Sequence, residues 1–193
     1  MGKKIESPAG QKRQKDPGKA DANPMRNIRL EKITINMSAG DDSPKLEKSQ
    51  KIMEKIVGKG VVVTRTHNRT TFGMPKGKPI GAKATLRGAV AMELLKRLFK
   101  AKDNKLKPSQ FDKTGNFSFG IHEYINIPGI KYDPDVGILG MDVCVSLQRP
   151  GHRVKKRMIR PAKLGSRHKI AKEDAIEWAK KELGAIIIEK EEQ

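Results

Sequence analysis

Cysteine is nearly absent: Cys144 is the only one in 193 residues. No disulfide can form within the chain, and a reducing compartment suits it. Aromatic residues make up 4%, which argues against broad base stacking as the main source of any nucleic-acid affinity. No apolar run approaches the roughly 20 residues that span a bilayer. The first 22 residues are charged throughout and lack the apolar middle of a signal peptide. Nothing has the pattern of a basic amphipathic helix with Trp and Phe on its apolar side, so no membrane partner is expected. His67, His122, His152 and His168 stand at no metal-ligand spacing. The stretch Gly77–Thr85 imitates a phosphate loop, but its Gly spacing is wrong and no Lys-Thr pair follows the second Gly. No metal, cofactor or small-molecule substrate is therefore expected.

The most telling shortage is of acid. The chain carries 41 Lys and Arg against 22 Asp and Glu, a formal net charge of +19. From Lys55 to Met92 there are eight Lys and Arg and no carboxylate, and Arg149–Lys172 holds ten and none. Charge on this scale is a statement about partners rather than fold. Nucleic acid is the favoured partner, because neutralising phosphates releases counterions.

Periodicity supplies an architecture. Residues 1–23 hold six basic side chains and no apolar period, which fits a disordered basic arm, either a solvated tail or a segment that orders on RNA. A single domain is expected over 24–188, with a polar tail at 189–193. Ile28–Met37 alternates, with Ile33, Ile35 and Met37 on one side and Lys32, Thr34 and Asn36 on the other. Pro44 suits the first turn of a helix, Leu46, Met53, Ile56 and Val57 share its face, and Gly58 ends it. Val61–Thr66 and Ile80–Arg87 are expected strands. Gly88–Lys102 is an expected helix with Val90, Ala91, Leu94, Leu95, Leu98 and Phe99 in its stripe. Asp103–Gly115 reads as a loop, and Phe117–Ile127 as one long strand with Tyr124 on its polar side. Met141–Gln148 follows as a strand with Met141, Val143, Val145 and Leu147 inward. There Cys144 is taken as a small packing residue. Ala171–Leu183 reads as a helix with Glu173 and Asp174 in its first turn, and Ala185–Ile188 as a short strand. The sum is an α+β domain: helices pack on one face of a largely antiparallel sheet, the other face stays open and polar, and a long basic loop projects.

The open face carries the chemistry. In Ile80–Arg87 the residues Lys83, Thr85 and Arg87 share one side, and Thr34 and Asn36 would lie beside them if the two strands are close. Hydroxyl and amide groups donate to phosphate, ribose 2′-OH or base edges, while the cations attract at range. The plain alternative is an ordinary solvated sheet face. The loop between the second and third strands, with Thr66, His67, Asn68, Arg69, Thr70, Thr71, Phe72, Gly73, Met74, Lys76 and Lys78, is basic and Gly-punctuated, as functional loops often are. Phe72 and Met74 either pack under it or touch a nucleotide. In the basic segment 149–172, Arg149, Arg153, Lys155, Lys156 and Arg157 read as contacts to a phosphate backbone, or else as a solvated run.

Four strings carry a family likeness: Arg29-Leu-Glu-Lys-Ile-Thr-Ile-Asn-Met37, Pro79-Ile-Gly-Ala-Lys-Ala-Thr-Leu-Arg-Gly88, Phe111-Asp112 with Gly115-Asn-Phe-Ser-Phe-Gly120, and Gly140-Met-Asp-Val-Cys-Val145. Their order over about Pro24–Gln148 resembles the L-five family of large-subunit ribosomal proteins. The basic C-terminal part resembles the archaeal and eukaryotic branch. The resemblance implies a non-catalytic cytoplasmic protein of the ribosome that binds 5S rRNA and anchors it to the large rRNA in the central protuberance. By motif position it carries 5S rRNA contacts over to Asn36 and Thr85, to which strand alternation adds Thr34, Lys83 and Arg87. A third family position, often Gln, is Lys59 here, a change that favours phosphate over a specific hydrogen bond. The resemblance also implies that the 66–78 loop reaches the P-site tRNA and that the protein meets a small-subunit protein in a bridge. Two readings of other classes compete: an RNA-modifying or RNA-processing enzyme with an RNA-binding sheet, and a general nucleic-acid packaging protein.

Overall fold

One-sided burial decides the first strand. In β1 (Arg29–Ser38), Ile33, Ile35 and Met37 are sealed from solvent while Thr34 and Asn36 are only half-covered. The computed structural model describes residues 23–40, 42–69, 73–134 and 136–188. Residues 1–22 of the expected arm, the tail 189–193 and the loop residues Thr70, Thr71 and Phe72 lie outside them.

After β1 the chain turns into α1 (Ser43–Val57), which has Pro in its first turn and buries Leu46, Ile52, Met53, Ile56 and Val57. Gly58 closes it in the left-handed region (φ 66°), its N–H donating to the Glu54 carbonyl at 2.8 Å. Only glycine adopts that conformation freely. β2 (Val62–Arg65) and β3 (Pro79–Leu86) follow, then α2 (Ala89–Lys100), which buries Ala91, Leu94, Leu95, Leu98 and Phe99. Val90 was expected in that stripe, but it is 45% exposed, because the helical period places it off the edge of the face that Ala91, Leu94, Leu95 and Leu98 share.

The expected loop 103–115 contains more than loop. β4 (Lys105–Leu106) pairs in parallel with β7 (Ile186–Ile187) in a separate two-stranded sheet, and a 3-10 turn spans Pro108–Gln110. The expected long strand Phe117–Ile127 is also corrected. β5 covers Phe117–Ile121 alone, and Tyr124–Asn126 forms a 3-10 turn. Tyr124 is buried rather than polar-facing, and its hydroxyl accepts a hydrogen bond from the Asp133 N–H at 3.1 Å. Ile121, Tyr124 and Ile127 are all buried, a spacing of three that a strand cannot put on one side.

β6 (Met141–Gln148) completes the main sheet, whose order is β2-β3-β1-β6-β5 with every neighbouring pair antiparallel. The basic segment then forms α3 (Arg153–Lys156) and a 3-10 turn at Ser166–His168 before α4 (Lys172–Leu183). A hydrophobic cluster joins the inner face of the sheet to α1, α2 and α4. Aromatic pairs tie its parts: Phe99 meets Phe119 edge-on with centroids 6.0 Å apart, and Phe111 lies 5.2 Å from Phe117. Among the described residues no helix is long and apolar enough to cross a membrane.

The turn 112–116 packs against the C-terminal segment with little clearance. The Thr114 hydroxyl and the Lys113 N–H donate to Asp112 and hold its carboxyl below the usual value. Gly115 has φ 80°, and a Cβ there would fall 2.9 Å from Ile170 Cβ and nearer still to its Cγ2. We therefore expect Gly115→Ala to cost about 2–4 kcal/mol, from left-handed strain plus overpacking. Urea unfolding measures it; a loss under about 0.5 kcal/mol would contradict this packing.

Candidate nucleic-acid interface

The ladder places the outward side chains in rows. On either side of β1, Thr34 faces Thr85 of β3 and Cys144 of β6, while Asn36 faces Lys83 and Asp142. Directly opposed residues in an antiparallel pair point to the same side, with Cβ atoms about 5 Å apart. Thr34, Asn36, Lys83 and Thr85 therefore form one block on the open face. Lys83 and Thr85 are exposed. Arg87 is exposed one residue past the end of β3, on the same alternation. Lys59 is exposed in the turn between α1 and β2, outside the ladder. Val62, on edge strand β2, is opposite Lys83 and is also exposed.

Two expectations about this face are corrected. Cys144 is exposed on the open side, not packed inward, because Val143 and Val145 occupy the core. The alternation of Met141–Gln148 already contains that answer. Nor is the face free of acid: the sheet brings Asp142 opposite Asn36 from a stretch far outside the acid-free window. The β3 half is thus cationic. The β6 and β5 half carries Asp142, Cys144 and Ser118, with Ser118 opposite Cys144.

The loop between β2 and β3 is clamped at its base. Thr66 N–H donates to the Lys78 carbonyl at 2.9 Å, and Gly77 N–H to the Thr66 carbonyl at 2.9 Å. The Thr66 hydroxyl donates to the Pro75 carbonyl at 2.7 Å and accepts from Lys78 N–H at 3.1 Å. Thr66 therefore shapes the loop from a half-buried position. Met74 and Lys78 are half-buried too, whereas His67, Asn68, Arg69, Gly73 and Lys76 are exposed.

In the C-terminal segment the structure divides the cations. Arg149 is engaged: its guanidinium donates to Asp174 of α4 at 2.8 Å and, at longer range, to the Lys169 carbonyl. Its side chain is 12% exposed and that of Asp174 43%. Lys156 pairs with Glu31, the extra residue of a bulge in β1 where the register shifts between Leu30 and Lys32. Arg153, Lys155 and Arg157 are exposed. Among the described residues no cluster of His, Cys, Asp and Glu could hold a metal.

An α+β domain with one face of its sheet under helices and the other bare, half of it cationic, has the build of a protein that presents a sheet surface to a polyanion. Two family models match the chain: the one described as Ribosomal protein L5 over residues 23–71, and the companion model for the C-terminus of the same ribosomal family over residues 79–178. Among curated proteins, the Large ribosomal subunit protein uL5 of Nanoarchaeum equitans is 46% identical over 167 residues, covering 86% of this chain and 98% of its own length. That of Methanosphaera stadtmanae is 44% identical, with 86% and 99% covered, and that of Sulfurisphaera tokodaii 43%, with 86% and 96%. The chain belongs to the L5 family of large-subunit ribosomal proteins and is of the archaeal type. It is a structural, rRNA-binding component of the large subunit of cytoplasmic ribosomes and not an enzyme, which sets the RNA-modifying reading aside.

The Arg149–Asp174 pair ties the start of the basic segment to α4. We expect Arg149→Ala to lower the unfolding free energy by about 1–2 kcal/mol, discounted for the exposure of Asp174. Arg153→Ala, at an exposed site, should change it by less than about 0.5 kcal/mol. Equal effects in chemical denaturation would remove the distinction.

Proposed function

We propose that the open face binds 5S rRNA and anchors it to the large rRNA in the central protuberance. The observation that carries this reading is the block in which Asn36 faces Lys83 and Thr34 faces Thr85. Two hydroxyls and an amide supply directed hydrogen bonds to ribose 2′-OH and base edges, and Lys83 and Arg87 supply charge for phosphate. Structured RNA is recognised largely through such shape and 2′-OH contacts. Asp142 repels phosphate, so the RNA backbone tracks over the β3 side, while Asn36 at the border faces bases or sugars. Lys59, in the turn entering β2, adds charge at the rim.

The loop over 66–78 reaches the P-site tRNA, and the exposed cations Arg153, Lys155 and Arg157 meet large-subunit rRNA. A neighbouring small-subunit protein completes a bridge between subunits. What supports the loop's role is its construction: a hydrogen-bonded base at Thr66, Gly77 and Lys78 carries exposed His67, Asn68, Arg69 and Lys76 away from the sheet ladder.

Asn36→Ala combined with Thr85→Ala is expected to weaken 5S rRNA binding by about 2 kcal/mol, roughly thirtyfold, as two lost hydrogen bonds require. Gel shift at one fixed salt concentration reads it, and unchanged affinity would withdraw these residues from the interface.

Deleting 69–76 removes the Pro75 carbonyl that accepts from the Thr66 hydroxyl but keeps the bonds of Thr66 with Gly77 and Lys78. Such a variant should bind 5S rRNA within about twofold of the parent, since it removes little charge from the sheet face. On assembled ribosomes it should release P-site tRNA faster. A variant that loses 5S rRNA and retains tRNA normally would reverse the assignment.

A further inference from the structure

Away from the open sheet face, the C-terminal segment and the 112–116 turn enclose a cleft of about 540 Å³. That is within the usual range for a small-ligand site. Its floor is apolar, made by Pro161, Leu164 and Ile170, the last of them buried against Gly115. Its walls carry Lys113, Lys155, Lys163 and Lys169, all exposed, and no carboxylate lines it. None of these four lysines makes an ion pair within 4.0 Å among the described residues, although Lys113 acts at longer range on Asp112. The acid beside the cleft, Asp112, is occupied by the Thr114 hydroxyl and the Lys113 N–H.

One wall is a fixed aromatic ring. His152 Nδ1 is 2.7 Å from the Arg149 carbonyl oxygen, and its ring centroid is 5.9 Å from that of His168. His168 is held in turn, with Nε2 2.7 Å from the Pro150 carbonyl oxygen. A nitrogen that close to a carbonyl must carry the proton, so in the neutral His152 ring Nε2 is an acceptor. A ring already immobilised loses little entropy when a planar group stacks on it.

An apolar floor, a fixed planar ring, a free acceptor and four cations match a group that is flat, partly apolar and polyanionic at its edge. We propose that this cleft takes one unstacked nucleotide of single-stranded RNA, with its base on the Pro161, Leu164 and His152 surfaces and its flanking phosphates on the lysines. Single-stranded bases splayed out of a helix are recognised by stacking on rings of this kind, His included. A bare phosphate would use the lysines and leave the floor wet. The chain's own N-terminal arm is a poor occupant, because Met1–Ala22 has six Lys and Arg against three Asp and Glu. The site does not depend on which RNA the sheet face holds.

The test uses the full chain and labelled hexamers of adenylate and uridylate, each compared with an abasic ribose-phosphate hexamer, by fluorescence anisotropy at 0.15 M salt (about physiological). Base-bearing hexamers should bind about tenfold more tightly than the abasic one, the size expected for one stacked base. Ala162→Ile, at an exposed position in the cleft lining, fills the space with branched aliphatic bulk that offers no ring to a base; it should erase that difference and leave abasic binding within about twofold. The sheet-face variant Asn36→Ala with Thr85→Ala should keep the difference, whatever becomes of 5S rRNA binding. Equal binding of base-bearing and abasic hexamers to the unaltered chain overturns the proposal, even if the Ile variant fails to fold. So does a difference that survives Ala162→Ile or vanishes in the sheet-face variant. Displacement of the hexamer by an oligoglutamate peptide as readily as by unlabelled RNA would assign the cleft to acidic protein instead.

Discussion

The register of β1 is the constraint on which the remaining structure rests. It is the central strand, paired on both sides, and Ile33, Ile35 and Met37 are its inward residues. Burying three such side chains is worth about 1.5–3 kcal/mol each, and a slip of one residue would move all of them to solvent. The alternative is closed, so Thr34 and Asn36 have nowhere to point but outward. Pairing with β3 and β6 then fixes which residues stand beside them. The polar block is a by-product of a hydrophobic decision, which is why it is rigid without any side-chain hydrogen bonds of its own among the described residues. A rigid block of donors would lose little freedom on binding the RNA proposed for this face.

The same logic explains where the scarce acids go. Glu31 holds Lys156, Asp133 holds Lys55 at 2.6 Å, and Asp174 holds Arg149. Each joins elements distant in sequence, so these acids act as fasteners rather than as diluents of the positive field. A net charge of +19 is therefore unevenly spread. Among the described residues, Lys83 and Arg87 on the β3 side, Arg69 and Lys76 in the β2–β3 loop, and Arg153, Lys155 and Arg157 in the C-terminal segment make no ion pair. Asp142 marks a border on the sheet. A field with edges orients a polyanion, whereas a uniform one only concentrates it.

How much of this could be read beforehand follows from what periodicity can carry. Strands covered on one side have a period of two, so the inward sets of β1, β3 and β6 were legible residue by residue. Cys144 was misplaced because its chemical type suggested packing, although its position in the alternation pointed outward. Phe117–Ile127 was misread because hydrophobic residues recur there in both patterns, and only the buried Tyr124 and its bond from Asp133 reveal the turn. A parallel pair as short as Lys105–Leu106 with Ile186–Ile187 is below any periodic signal. The partnership of Arg149 with Asp174 has none either, since an ion pair leaves no trace in local sequence. Of the candidate contacts, the sheet block was legible and the fate of individual cations in 149–172 was not.

That segment shows how a chain can hold a shape with little regular structure. Its backbone groups cannot all join a ladder, yet buried polar groups need partners. Side chains supply them: His152 and His168 bind the carbonyls of Arg149 and Pro150, Arg149 reaches the Lys169 carbonyl, and the Arg157 guanidinium donates to the Arg160 carbonyl at 2.8 Å. Ile170 anchors the far end in the core beside Gly115. Between these points Met158 and Ile159 stand 97% and 79% exposed, contributing nothing to folding in the isolated chain. Apolar side chains held outward on a stiff, cationic segment gain burial only from a partner. A segment shaped by its own side chains, rather than by a sheet, can differ in sequence while keeping its ends fixed. The surface it presents is therefore set by a few anchors, and the residues between them carry no packing duty within the chain.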